Sequence, residues 1–113
     1  MHKISKGLMA GSTALMVLHL IGERDMYGYE IVGALEQRSG SVFTLKEGTL
    51  YPVLHSLEQG GLVQSYIQTA GSGKPRKYYR ITKKGGAALT EKKAEWSVYT
   101  NSVNLVIGEL CHE

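Results

Sequence analysis

The sequence predicts a mainly α-helical fold with one small β-hairpin and a long C-terminal helix, on the basis of three observations. Three segments in the first half place apolar residues at helical spacing. Two partly alternating segments around a glycine-rich turn follow them. A regular apolar seam then continues almost to the end of the 113 residues. With 42% apolar and 20% charged residues, the composition indicates one folded domain and excludes a disordered chain.

The first predicted helix begins at a Ser12 or Thr13 cap, runs to about Glu23 and is apolar on nearly all sides. One small domain cannot easily cover such a helix, so a second subunit is one source of the missing cover. Its apolar run, from Ala14 to Ile21, is far shorter than the roughly 20 residues that cross a bilayer. We therefore expect no membrane partner.

The next two helices are bounded by cap and turn signals. Asp25 is expected to start the second helix, which ends at Ser39-Gly40. Thr44 and Glu47 have the spacing of a capping box, which predicts the start of the third helix. Pro52 lacks a backbone donor and crowds the preceding turn, so we also expect a bend or a later effective start. The predicted inner stripe of the third helix is Leu50, Val53, Leu54 and Leu57.

The hairpin is predicted from strands at Leu62–Thr69 and Arg76–Ile81, with residues 70–75 as the turn. In the returning strand Tyr78 and Tyr79 must face opposite sides, so one of them is expected to be buried. Two isolated strands need a surface on which to pack, and the three helices supply it. This order of elements predicts a winged helix-turn-helix over residues 1–82.

Residues 83–113 are predicted to form a C-terminal dimerisation helix that is capped by Thr82. Its seam has an alternating spacing of 3 and 4 residues and consists of Leu89, Lys92, Trp96, Tyr99, Val103, Val106 and Leu110. A heptad seam on a terminal helix usually means that another helix lies against it. We assign its six members other than Lys92 to a homodimer interface.

The net charge of +3 is concentrated in one third of the chain. Residues 59–90 contain six lysines and arginines and no acidic side chain. Residues 1–58 carry five basic and six acidic side chains, and residues 91–113 carry two and four. A localised basic stretch in a near-neutral frame is typical of a phosphate-binding surface, and the alternative is a solvated charged loop.

A helix of this fold fits the major groove of double-stranded DNA, and the third helix has a suitably small or polar outward side. We assign five of its residues to DNA contacts: Lys46, Gly48, Thr49, Tyr51 and His55. On the hairpin, we assign Lys74, Arg76 and Lys77 to phosphate contacts, which give affinity without sequence choice. The alternative is that Tyr51 and His55 are ordinary surface residues.

Four motifs between residues 26 and 82 resemble those of the PadR family of bacterial transcriptional regulators. They are MYGYEI at 26–31, EGTLYPVL at 47–54, LEQGGLV at 57–63 and GKPRKYYRIT at 73–82. The resemblance implies a winged helix-turn-helix homodimer that acts as a repressor and is released by a small molecule. It also implies phosphate contacts by Tyr29 and Tyr51, base reading by the start of the third helix, and wing contacts by Lys74 and Arg76. The short C-terminal region resembles the compact branch of that family.

Trp96 is the only tryptophan and lies in the middle of the seam, where two symmetry-related copies could face each other. A pair of indole rings can sandwich a planar aromatic molecule, which makes Trp96 the candidate residue for an inducer. The alternative is that Trp96 only packs the dimer core. A two-fold dimer also predicts a near-palindromic operator.

The chain is not expected to be an enzyme, because its single cysteine and four histidines lack the spacing of a nucleophile and its base. Cys111 and His112 are too few ligands for a closed metal site unless two subunits pool them, so we expect no metal and no cofactor. A lone cysteine fits a reducing, cytoplasmic location. The remaining alternative to DNA binding is a winged-helix module that binds proteins, although the acid-free span 59–90 favours DNA.

Overall fold

Five helices and three strands succeed one another in the computed structural model, which describes residues 4–69, 71 and 73–108. The elements are α1 (Lys6–Met9), α2 (Ser12–Glu23), β1 (Met26–Tyr27), α3 (Gly28–Arg38), α4 (Glu47–Gln59), β2 (Val63–Thr69), β3 (Pro75–Ile81) and α5 (Lys83–Ile107). The predicted fold class is confirmed, with the short helix α1 and the two-residue strand β1 as additions. Within these ranges no helix has the length and apolar character of a membrane span.

Helix α2 lies at the centre of the molecule, because its apolar side chains are covered by α3, α4, α5 and β3. Its predicted extent is confirmed, although Gly11 occupies the N-cap position and the predicted caps Ser12 and Thr13 lie inside the helix. The buried core consists of Val17, Leu18, Leu20, Ile21, Met26, Ile31, Leu35, Leu50, Leu54, Leu57, Val63 and Tyr79. These residues join the helices to one face of the sheet.

The predicted start of the second helix at Asp25 is wrong. Helix α3 begins at Gly28, and Tyr27 is its N-cap residue. The Tyr27 backbone N–H donates to the Glu30 carboxylate at 3.2 Å, which satisfies one amide at the helix start. Met26 and Tyr27 are instead extended and pair with β3, so that the sheet has three strands and Met26 is buried in the core.

The predicted cap of the third helix at Thr44 is also wrong, because α4 begins at Glu47 with Lys46 as its N-cap residue. Phe43 and Leu45 are half-buried against the core on either side of the exposed Thr44, and this contact keeps the segment outside the helix. The helix therefore starts later than Thr44, but not at Pro52, which lies inside it. Its inner stripe is confirmed: Leu50, Leu54 and Leu57 are buried and Val53 is half-buried.

The sheet has the antiparallel order β1-β3-β2. Ile81 pairs with Val63 at the base of the hairpin, and Pro75 pairs with Thr69 near its tip. Strand alternation buries Tyr79 and leaves Tyr78 half-exposed on the opposite face, as predicted. Two residues of the predicted turn, at positions 70 and 72, lie outside the described part of the chain.

Helix α5 is fixed to the hairpin at its first turn. The Thr82 hydroxyl oxygen accepts from the Gly85 N–H at 2.9 Å, which confirms the predicted cap, and it lies 2.7 Å from the Gly61 carbonyl oxygen. A Cβ atom on Gly85 would lie only 2.0 Å from the Leu62 carbonyl oxygen, so no other residue type fits there. This close approach lets the helix leave the sheet edge directly.

An ion pair joins α2 to α3. Arg38 donates to both carboxylate oxygens of Glu23, at 2.6 and 3.2 Å, and the His19 ring lies 3.1 Å from the same carboxylate. The hydrogen bond from Arg38 is the main cause that lowers the pKa of Glu23, and the charges of Arg38 and His19 act in the same direction. The arrangement connects two helices at their exposed ends.

Substituting Gly85 by alanine should destabilise the fold by about 2–3 kcal/mol, because the new methyl group must displace backbone atoms of Leu62. Urea unfolding measures the change. Gly86→Ala is the matched control, since no atom lies within 4 Å of its added Cβ, and alanine should stabilise the helix there by about 0.5–1 kcal/mol. Equal stability of the two variants would contradict the close approach.

The ion pair between Glu23 and Arg38 should make the free energy of unfolding depend on pH in the acidic range. Because the pKa of Glu23 is below 4.5 in the folded state, the pair stabilises the fold above pH 4.5 and its contribution is lost as the pH falls through the folded pKa. The stability difference between the wild type and Arg38→Met should therefore shrink below pH 4.5 in urea unfolding. Glu36→Gln, whose carboxylate has no ion pair among the described residues, should retain the wild-type pH dependence.

Candidate nucleic-acid interface

The outward side of α4 consists of the five residues that the sequence assigned to DNA contacts. Lys46, Gly48, Thr49, Tyr51 and His55 are all exposed, while the opposite side of the helix is buried in the core. None of the five has a hydrogen-bonded or ionic side-chain partner within the described ranges. The helix therefore presents a small, polar surface that leaves its donors and acceptors available to a ligand.

Tyr51 connects this side of α4 to the first turn of α3. Its hydroxyl oxygen would lie 2.9 Å from a Cβ atom at Gly28, so the absence of a side chain at Gly28 makes room for the ring. Tyr29, which follows Gly28 in the chain, is 69% exposed. The first turn of a helix also carries unpaired N–H groups and a partial positive charge. The structure thus brings the two tyrosines that were assigned to phosphate contacts to one region.

The wing, defined as β2, β3 and the loop between them, carries its three assigned cations on different sides. The guanidinium carbon of Arg76 lies 4.6 Å from the centre of the Tyr27 ring, on the outer face of the sheet. Lys77 points to the other face, where its ammonium lies 5.8 Å from the centre of the Tyr79 ring. Lys74 is exposed beside the tip. The structure therefore separates Arg76 from Lys77.

A row of three aromatic rings covers the outer face of the sheet, and the sequence analysis assigned none of them to the site. Tyr27 meets Tyr78 edge to face with their centroids 5.2 Å apart, and Tyr78 stacks on Tyr66 at 5.7 Å. Such pairs stabilise by about 0.5–1.5 kcal/mol beyond the burial of their area. The alternation of Arg76, Tyr78 and Arg80 in β3 is the one sequence signal for this row.

Arg80 lies at the far end of the row and is paired with a carboxylate. Its Nε lies 3.4 Å from the Asp25 carboxylate, and its guanidinium carbon lies 4.8 Å from the centre of the Tyr66 ring. The Tyr66 hydroxyl donates to the same carboxylate at 2.5 Å, and this hydrogen bond is the main cause that raises the pKa of Tyr66. Asp25 therefore compensates the charge of Arg80.

The predicted dimer seam divides into two parts. Leu89 packs against its own subunit, where a Cβ atom at Gly22 would lie 3.2 Å from it. The next apolar members are exposed, with fractions between 37% at Val103 and 85% at Val106, and Leu110 lies outside the described residues. The exposed apolar surface of α5 comprises Trp96, Val98, Tyr99, Val103, Leu105, Val106 and Ile107. The helical period places Ile107 on the same side as the seam, whereas Val98 and Leu105 project from the opposite side of the helix.

A cavity of about 380 Å³ lies between α2, α3, the loop after α3 and α5. Leu15 and Phe43 contribute to its apolar wall, Trp96 lines one side, and Arg38 and Lys93 supply polar groups. This volume is in the range of small-molecule sites. For metals, no group of three or more histidine, cysteine, aspartate or glutamate side chains comes together in the described part of the chain.

Comparisons with known proteins agree with this architecture. The sequence profile of the transcriptional regulator PadR-like family matches residues 17–91. The chain is 37% identical over 79 residues to transcriptional regulator Rv3488 of Mycobacterium tuberculosis, covering 70% of each chain. A transcriptional regulator from Clostridium thermocellum superposes with a TM-score of 0.80 at 33% identity, covering 89% of this chain and 95% of the other. A PadR family regulator from Eggerthella lenta gives a TM-score of 0.78 at 36% identity, covering 89% and 86%.

The profile match covers more than half of the chain and includes β1, the wing and the first turns of α5. Members of this family are transcriptional regulators and not enzymes, which confirms the non-enzymatic function predicted from the sequence. The four motifs, the winged-helix fold and these relatives lead to one assignment. The chain belongs to the PadR-like family of transcriptional regulators.

Proposed function

We propose that the protein is a homodimeric, sequence-specific DNA-binding repressor. Residues 1–82 form its DNA-binding part, and residues 83–113 form its dimerisation helix. The proposal rests above all on the outward side of α4, where five small or polar residues are exposed next to a wing that carries four cations, three of which the sequence assigned to phosphate contacts. Such a regulator acts in the cytoplasm, where bacterial DNA lies.

In this proposal α4 enters the major groove and the wing contacts the flanking backbone. Thr49 and His55 reach base edges, the threonine methyl toward thymine and the imidazole toward a guanine acceptor. Gly48 permits close approach of the helix backbone. The hydroxyl groups of Tyr29 and Tyr51 donate hydrogen bonds to phosphates near the start of α3. Lys74, which lies on the wing, neutralises a phosphate.

Dimerisation covers the apolar surface of α5. Single apolar residues are normal on a monomer surface, but five large exposed ones on one side of α5 form a surface that a partner helix would cover: Trp96, Tyr99, Val103, Val106 and Ile107. Two copies related by a two-fold axis place two α4 helices on one side of the DNA. The operator is then near-palindromic, with half-sites about one helical turn apart.

Repression is released, in this proposal, when a planar aromatic molecule binds at Trp96. The exposed indole and the cavity beside it support such a site, while a role of Trp96 in packing the dimer alone is the second possibility. Fluorescence of Trp96, the only tryptophan, separates the two. Quenching by planar drugs or phenolic acids supports the ligand site. A dimer that Trp96→Ala dissociates, with no quenching by any compound, leaves only the packing role.

Specific DNA binding is tested first by a mobility shift with the DNA upstream of the protein's own gene at moderate salt. A complex that resists competitor DNA supports the repressor. Absence of binding to any sequence supports a protein-binding module instead, which is the alternative function that the fold allows. The acid-free basic span is the observation against that alternative.

Replacing Lys74 by glutamine should weaken binding to all DNA sequences by a similar factor, because a phosphate contact carries no sequence information. The slope of log affinity against log salt concentration should fall by about 0.9, as expected for one released counterion. A fluorescence anisotropy titration at several salt concentrations measures both quantities. Lys93→Gln removes the same charge far from the wing, at the cavity beside Trp96, and should leave the slope unchanged.

Replacing Val106 by aspartate should dissociate the dimer, because the charge would be buried within the apolar contact. Sedimentation velocity should show a monomer for this variant and a dimer for the wild type. Affinity for the operator should fall by a factor of about 100 or more, since the second half-site no longer binds as part of one molecule. Asn101→Asp, on the same helix outside the seam, should remain a dimer; a monomeric wild type would contradict the proposal.

A further inference from the structure

Two arginines of β3 lie in matched aromatic surroundings but differ in charge compensation. Arg76 and Arg80 both have the guanidinium over a tyrosine ring, at 4.6 Å from Tyr27 and 4.8 Å from Tyr66. Only Arg80 is also paired with a carboxylate, that of Asp25. Across the described residues no carboxylate lies within ion-pair distance of Arg76. The row thus has a neutralised end and a cationic end.

This difference matters for binding a polyanion. A carboxylate that fixes an arginine also cancels the charge that a phosphate would meet. An aromatic face attracts the guanidinium through its quadrupole and carries no net charge, so it can hold the arginine without neutralising it. The ring also lowers the number of conformations that the side chain must give up on binding. The half-buried state of Arg76 agrees with such restraint.

We propose that Tyr27 is a positioning residue that holds Arg76 over the sheet as a phosphate contact of the wing, and that Arg80 is a structural cation. The inference rests on the proposed DNA-binding function and deepens it, because it selects one arginine of the wing and names what positions it. Tyr27 is held in place by the pairing of β1 with β3 and by its edge-to-face contact with Tyr78. The residue that follows it is Gly28, against which the Tyr51 hydroxyl lies. Arg76 is therefore connected by a short path of contacts to the outward side of α4.

The test measures binding of a labelled DNA duplex of random sequence at low salt, because a phosphate contact does not depend on sequence. Arg76→Gln should lower affinity and reduce the salt slope by about 0.9. The double variant Asp25→Asn/Arg80→Gln removes the compensated pair without changing the net charge and should bind as the wild type does. Tyr27→Leu should weaken binding by about 2- to 5-fold, the factor that corresponds to a cation–π contact at an exposed site. Tyr27→Phe keeps the ring and should restore wild-type affinity.

The double variant Tyr27→Leu/Arg76→Gln separates positioning from a general effect on the fold. If Tyr27 acts through Arg76, the leucine should cause no further loss of affinity once Arg76 is gone. Equal losses from Tyr27→Leu in both backgrounds would overturn the inference, as would an Asp25→Asn/Arg80→Gln variant that binds as weakly as Arg76→Gln. Thermal unfolding of every variant checks that the fold is retained. A wild type that binds no duplex contradicts the proposed function itself, whereas wild-type binding with no coupling contradicts only the role of Tyr27.

Discussion

The pairing of β1 with β3 is the constraint on which the candidate interface depends. Two residue pairs make this contact, Met26 with Tyr79 and Tyr27 with Tyr78. The first pair is buried in the core, and the second faces outward, because successive residues of a strand alternate sides. A shift of the register by one residue would exchange the two pairs. It would expose Met26 and remove the ring that lies under Arg76.

The same pairing fixes the wing relative to the helices. Helix α3 starts directly after β1, so the first turn of α3 is tied to β3 with no intervening loop. The Tyr51 hydroxyl lies against this turn and connects it to α4. At the other end of β3, the Thr82 cap and the close approach of Gly85 to Leu62 set the direction of α5. One short sheet therefore positions both the proposed DNA surface and the apolar surface of α5.

The sequence predicted the long elements well, because their apolar spacing and caps are strong local signals. The inner stripe of α4 and the Thr82 cap were found in this way. It missed β1, since two residues have no measurable periodicity and Asp25 has the side chain of an ordinary helix cap. The Thr44 capping box was wrong for a similar reason: a tertiary contact of Phe43 and Leu45 with the core outweighs the local preference.

The proposed interface was predicted in part. Residues on the outward side of α4 could be identified, because the opposite side has a clear apolar stripe. Arg76 and Lys77 lie on opposite faces of the sheet because successive residues of a strand alternate sides, so the sequence could have predicted their separation. The partners of the two arginines could not be predicted, because Asp25 and Tyr27 are far from β3 in the chain and meet Tyr66 and the arginines only through the three-stranded register.

The central claim is that a dimer binds one duplex through two copies of the surface formed by α4 and the wing. A hydroxyl-radical footprint of the dimer on the DNA upstream of its gene tests this claim most directly. The account predicts two protected backbone regions related by a two-fold axis, with their centres about 34–36 Å apart on one side of the DNA. Each protected region should extend away from the two-fold axis, toward the part of the DNA backbone that the wing contacts. A single asymmetric protected region, or uniform protection that no sequence localises, would contradict it.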